Sequence, residues 1–326
     1  MRRRQFVELA LATFASGAAA ACASRVESAR AAPPSAPRPL DAAAFHAERR
    51  FADIPFGKIA YIERGSGDAA LFLHGAPLNG FQWRGAIDRL SAHRRCIAPD
   101  FMGLGYSQVP ERQGLAAKDQ VAMLGSLLDS LGVSTVDIIA SDSGGAVAQL
   151  FMIRYPRRVR TLLLTNCDVE PDSPPPKVLP IIAQARAGTL NKGMDEWLAN
   201  KSLARSTFGA AVFRDPSQFT DDVIEYYFTP LISSPLKRKQ YEAFHMALEP
   251  NPLAGIEPAL RSVVVPTRIV WGTSDDLFSP ASPDYLDRTL GRSMGIRRVP
   301  GAKLFFPEEF PDLIAEEARR LWGLSG

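Results

Sequence analysis

The chain has 326 residues, 46% hydrophobic and 22% charged, with a formal net charge of +3. This composition fits a globular protein with enough chain for a large core, and excludes a disordered or fibrous one. Several arginines sit in the first residues, so the remainder is close to neutral and nothing points to nucleic acid or a strongly charged substrate. The three cysteines, Cys22, Cys96 and Cys167, form no CxxC pair and no Cys/His cluster with metal-ligand spacing, so no metal or other cofactor is expected. Cys96 and Cys167 lie in apolar runs, the usual place of a buried thiol.

Arg2-Arg3-Arg4-Gln5-Phe6 opens the chain, and Leu9 to Ala21 follow without a charge. These are the n-region and h-region of a signal peptide, too short for a membrane span. The Arg3-Arg4 pair resembles a twin-arginine export signal. Ala29-Arg30-Ala31 offers a cleavage site, and Ala20-Ala21-Cys22 offers a lipobox-like alternative that would leave a lipidated, membrane-anchored Cys22. Residues 1–31 are therefore expected to act as a leader for a periplasmic or extracellular protein. Residues 32–50, with Pro33, Pro34, Pro37 and Pro39, read as a spacer, and the fold is expected over 51–326.

Phe51 to Ile62 reads as a hairpin turning at Gly57. Ala69 to Leu73 and Arg95 to Pro99 are short apolar strands, and Val121 to Leu131 has helical periodicity ending at Gly132. Val136 to Ala140 is a strand that runs into Gly144-Gly145 and a helix, Ala146 to Arg154. Val159 to Thr165 is a strand again. Strands that are apolar on both faces and alternate with helices specify an α/β fold with a mostly parallel sheet between helices. From about 171 to 259 only amphipathic helices appear, among them Val178 to Ala187, Met194 to Leu203 and Leu236 to Leu248. This stretch reads as an inserted helical lid. The sheet resumes at Thr267 to Gly272 and Gly295 to Val299, and a helix from Asp312 to Trp322 ends the chain.

Ala140-Ser141-Asp142-Ser143-Gly144-Gly145 fits the small-x-nucleophile-x-small pattern of a sharp strand-to-helix turn, where bulk on either side would clash with strand or helix. It fits in two frames. One puts Asp142 at the apex, the other Ser143. The strand ends at Ala140, which places Asp142 at the apex, and the helix reaches Tyr155-Pro156 in the matching register.

With this elbow, the chain resembles the α/β-hydrolase superfamily, in the branch of epoxide hydrolases and haloalkane dehalogenases, whose elbow carries Asp. His74-Gly75-Ala76-Pro77 resembles the branch's HGxP loop, which implies an oxyanion hole from the backbone N–H groups of Ala76 and Ser143. His74 itself reads as a structural loop residue. Asp100-Phe101-Met102-Gly103-Leu104-Gly105-Tyr106-Ser107 matches a bracing loop. Trp271-Gly272-Thr273-Ser274-Asp275-Asp276 matches the acid loop, with Asp275 as the acid. The resemblance implies a hydrolase acting through nucleophilic Asp142 on a small, mainly apolar substrate of epoxide, ester or halide type.

The pattern fails at one place. The branch's C-terminal histidine falls, by the register of Glu309 and Pro311, at Leu304, and leucine cannot deprotonate the water that hydrolyses the alkyl ester. Glu308, Glu309 and the lid residue His245 are the alternatives for that task. The dehalogenases' halide-holding Asn and Trp correspond to Ala76 and Ser143, which disfavours dehalogenation. Tyr226, Tyr227 and Tyr241 are available as lid tyrosines that protonate an opening epoxide. The missing histidine keeps open two other readings: a lyase or isomerase on the same fold, and a small-molecule binding protein that has lost the chemistry.

Overall fold

Eight strands form one sheet in the order β1-β2-β4-β3-β5-β6-β7-β8. They are β1 (Arg50–Ile54), β2 (Gly57–Arg64), β3 (Ala69–Leu73), β4 (Arg95–Pro99), β5 (Val136–Asp142), β6 (Val159–Cys167), β7 (Thr267–Gly272) and β8 (Ser293–Val299). β2 pairs antiparallel with both β1 and β4, and the pairs from β4 to β8 are all parallel. Every residue of β3 and β5 is buried, as expected of central parallel strands covered on both faces. The structure, a computed structural model, describes residues 40–324. The expected leader, with Cys22 and both cleavage positions, lies outside them.

Helix α1 (Ala42–Glu48) precedes β1, so the fold begins inside the stretch 32–50 expected to be spacer. Asp41 caps it, its side chain accepting from Ala44 N–H, and Phe45 is buried against Phe81 and Tyr226. One aromatic anchor on a seven-residue helix is a weak periodic signal, and Asp41 is the only other cue. Helix α2 (Arg84–Leu90), α3 (Ala117–Ser130) and α4 (Ser143–Arg154) follow β3, β4 and β5. The C-terminal α14 (Pro311–Leu321) packs on α2, and α3 packs on α4, so helices flank the sheet.

Between β6 and β7 the chain is helical. The main lid helices are α5 (Leu179–Arg186), α6 (Leu190–Ala199), α9 (Asp221–Ile232) and α10 (Pro235–Met246), with the short α7 (Lys201–Ala204), α8 (Ala210–Val212) and α11 (Glu257–Ser262) completing the insertion. The stretch expected as a single helix from Met194 to Leu203 divides at Asn200, whose side chain caps α7. Helix α9 contains Pro230, which masks its periodicity in the sequence. After β7 come α12 (Ser282–Thr289) and, after β8, the four-residue α13 (Phe306–Glu309). No helix among the described residues is long and apolar enough to cross a membrane.

Candidate active site

Strand β5 passes into α4 with no intervening loop. Asp142 sits at the junction with φ +54° and ψ −133°. It is the only non-glycine residue with positive φ among the described residues. Such a conformation costs about 1–3 kcal/mol and persists only where the surroundings enforce it. The surroundings here are tight. A Cβ on Gly75 would lie 2.5 Å from Asp142 Oδ2, one on Gly144 would lie 2.5 Å from the His74 carbonyl oxygen, and one on Gly145 would overlap the Cys167 side chain. Small residues are therefore needed on both sides of Asp142.

The Asp142 carboxylate faces backbone donors. Ala76 N–H donates to Oδ2 at 3.1 Å, and Ser143 N–H also hydrogen-bonds the carboxylate. The loop that presents Ala76 is braced from below. His74 Nε2 accepts from Phe101 N–H at 2.9 Å, its Nδ1 lies 2.9 Å from the Gly75 carbonyl oxygen, and Gln82 Oε1 accepts from Gly75 N–H. His74 is fully buried and burial lowers its pKa, so its part is structural. Asp100 accepts from the N–H groups of Gly80 and Tyr106, and Ser107 bridges it to β2, which makes the 100–107 loop a brace.

A cavity of about 300 Å³ lies between this floor and the lid. Its wall is mostly apolar, and its polar members include Asp142, Ser143, Asp168, Tyr241 and His245. Burial raises the Asp142 carboxyl well above the usual range, the neighbouring Asp168 carboxylate adds to this, and the two N–H donors pull the other way. No residue lining the cavity is Lys or Arg. Asp168, which sequence reasoning passed over, follows β6 directly, is buried, and is pushed up to about 6 by burial. Its one sequence cue is its place at the C-terminal end of a parallel strand, where α/β sheets gather ligands.

A model of the α/β-hydrolase fold matches residues 69–310. The chain belongs to the α/β-hydrolase fold family. Haloalkane dehalogenase 2 of Mycobacterium tuberculosis is 26% identical over 281 residues, spanning 82% of this chain and 92% of that protein. A cis-3-alkyl-4-alkyloxetan-2-one decarboxylase of Shewanella oneidensis is 32% identical over 149 residues, spanning 44% of this chain and 47% of the relative. Among solved structures, the epoxide hydrolase CorEH superposes with a TM-score of 0.72 at 20% identity over 84% of this chain and 98% of its own. The haloalkane dehalogenase relative and the fold together make this an enzyme of the hydrolase kind.

In the C-terminal turn, Leu304 is buried in the cavity wall next to Phe305 and Leu277. Phe305 N–H donates to the Val212 carbonyl at 3.0 Å, and Lys303 Nζ to that of Ala210, so the turn is tied to the lid. Asp275 turns away from the main cavity. It accepts from Asn166 Nδ2 at 2.8 Å and from Leu277 N–H at 2.9 Å, and burial raises its pKa. Asn166, a second residue that sequence reasoning missed, locks β6 to the acid loop by also pairing with both backbone groups of Gly272.

The expected substitutes for the histidine part company. Glu308 is engaged by Arg84 at 2.7 Å and by the Tyr227 hydroxyl at 2.6 Å. Glu309 accepts from the N–H groups of Arg214 and Asp215. Neither lines the cavity, so neither is placed to act as the base. Tyr226 and Tyr227 also fall outside it: Tyr226 accepts from Arg49 at 2.5 Å and Tyr227 is committed to Glu308, so of the three lid tyrosines only Tyr241 reaches the cavity. His245 lines it as well, with Nδ1 2.9 Å from the Tyr241 carbonyl oxygen and a pKa lowered by burial to about 4. The described residues include no group of three or more His, Cys, Asp or Glu that could hold a metal ion.

Proposed function

We propose that the protein is a hydrolase that opens small, mainly apolar electrophiles of the epoxide class through an alkyl ester on Asp142. The observation that carries this reading is the carboxylate at the strained apex, with one oxygen on Ala76 N–H, on the floor of an apolar cavity. Two N–H donors, of Ala76 and Ser143, hold the carboxylate. The carboxylate lines the cavity, where it attacks a saturated carbon and breaks its bond to the leaving oxygen. The carbonyl of the resulting ester stays on the same donors, which also suit the oxyanion of its hydrolysis. Tyr241, which burial keeps protonated, is the hydroxyl in the wall best suited to protonate the opened alkoxide. Ala76 and Ser143 at the two positions where dehalogenases grip halide weigh against haloalkanes.

The test is product analysis and intact-mass spectrometry with styrene oxide and cyclohexene oxide. Diol or a mass adduct on Asp142 is expected in the native protein and in Ser143→Ala, and neither in Asp142→Asn. Activity that survives Asp142→Asn and is lost in Ser143→Ala would reassign the nucleophile to Ser143 and the reaction to a serine esterase.

A second reading is favoured by Leu304 in place of a base and by the raised pKa of Asp142, which together suit proton transfer without hydrolysis, as in a lyase or isomerase. An isomerised or fragmented product lacking added water would support it. Ligand returned unchanged after tight binding would support a binding protein.

The same reading extends to location: Arg3-Arg4-Gln5-Phe6 and the apolar run after it support twin-arginine export, with a lipidated Cys22 if the lipobox-like site is used. Replacing both arginines with lysine should keep the chain in the cytoplasm. An intact Met1 terminus on exported or total protein would show that no leader is cleaved.

A further inference from the structure

Asp168 follows Cys167, the residue of β6 whose Cα pairs with that of Asp142. It lines the main cavity together with Asp142 and Ser143, and it also walls a smaller chamber of about 20 Å³. Gln120, Ser143 and Ser173 are the other polar residues of that chamber. A single water needs roughly 10–15 Å³ and a few polar partners, so the chamber fits one. Ser173 Oγ donates to Asp168 Oδ1 at 2.8 Å, and Gln149 Nε2 donates to its carbonyl at 2.8 Å, which fixes both carboxylate and backbone. The Ser143 hydroxyl, in the wall of both cavities, is buried without a partner in the fold.

We propose that Asp168 is the general base of ester hydrolysis, in place of the histidine that Leu304 replaces, acting on a water that passes from the side chamber into the main cavity, whose wall Asp168 shares with Asp142. This rests on the alkyl-ester reading above. Asp168 takes one proton from the water as its oxygen attacks the ester carbonyl carbon of Asp142. The oxyanion forms on the Ala76 and Ser143 N–H groups. Collapse breaks the bond between the carbonyl carbon and the alkyl oxygen, and the leaving alkoxide takes the proton back from Asp168. The diol departs, and Asp142 is left as a carboxylic acid that ionises for the next turn. The proton released there balances the one consumed when the epoxide opened.

The rival bases are worse placed. Glu308 is held by Arg84 and Tyr227, and Asp275 is turned onto Asn166 outside the cavity wall. His245 reaches the cavity, yet with its pKa near 4 it is a weaker base than a carboxylate near 6, which is ionised at neutral pH and close to the optimum for a general base.

Single-turnover mixing with styrene oxide, followed by intact mass, separates the two half-reactions. The native protein should form the ester and release it. Asp168→Asn should form the ester and hold it, with release slowed about 10²- to 10⁴-fold, the usual loss for a positioned base. Ser173→Ala, which leaves the carboxylate unanchored, should slow release by less than Asp168→Asn does. Adding Leu304→His to Asp168→Asn should restore release, since histidine at 304 supplies the base independently. Release at native rates in both Asp168→Asn and Ser173→Ala overturns the proposal while leaving Asp142 as nucleophile. So does a native protein that traps its own ester. Absence of both ester and product in the native protein overturns the nucleophile reading itself, and this one with it.

Discussion

Asp142 and Asp168 are kept above the ordinary carboxylate range by burial, and His245 below its own. Each therefore contributes to stability in a pH-dependent way. The folded state binds a proton on Asp168 that the unfolded state has already lost, so its contribution is fully present below about pH 4 and is lost as pH rises to about 6, by roughly 3 kcal/mol. His245 runs the other way: folding keeps it neutral, and stability is gained as pH rises from about 4 to 6.5, again by roughly 3 kcal/mol. The two offset each other. Denaturant titrations should find native stability nearly flat across that window, rising with pH in Asp168→Asn and falling with pH in His245→Gln. Burial also holds the Asp142 carboxyl above its unfolded range, so its contribution too is lost as pH rises through its folded pKa. Asp142→Asn should escape that loss and be the more stable wherever the native carboxylate is ionised, the familiar trade of stability for a reactive group.

At the scale of the element, the elbow was legible because its constraints are local. Ala140, Gly144 and Gly145 are small for a reason that can be read in the sequence, and the positive φ falls on Asp142 and not on Ser143. Gly145 gives a direct check. Its absent Cβ would overlap Cys167 on the neighbouring strand, so Gly145→Ala should destabilise by about 3 kcal/mol, as overpacking against an immobile strand does. Gly193 on α6 has nothing within 4 Å of its Cβ position, and Gly193→Ala should instead stabilise by about 0.5–1 kcal/mol through helix propensity. Chemical denaturation of the two variants would show opposite shifts of midpoint. Equal and small shifts would mean that the elbow has room to relax. The elements that escaped reading were those defined by distant partners. Helix α1 is held by Phe45 against Phe81 and Tyr226 and by Arg49 over the Tyr106 ring, contacts no local pattern announces.

Across the whole molecule, the order of strands and motifs was legible because each motif closes a parallel strand, and the family fold places those ends together. What was not legible is which side chains of the lid and the C-terminal turn face inward. Tyr226 and Tyr227 are neighbours on one helix that spend themselves on Arg49 and on Glu308, while Tyr241 on the next helix reaches the cavity. Asp168 went unread for a related reason, since a carboxylate after a strand acquires meaning only when Ser173 and the side chamber are in view. A covalent ester on Asp142 would show itself in the fate of a water oxygen. Styrene oxide should be turned over once, with enzyme in excess, in heavy-oxygen water, and both the diol and the peptide carrying Asp142 analysed by mass. One heavy oxygen is expected in the Asp142 carboxylate, and a first diol free of label. Label in that diol with none in Asp142 would contradict it, because water would then have attacked the substrate directly.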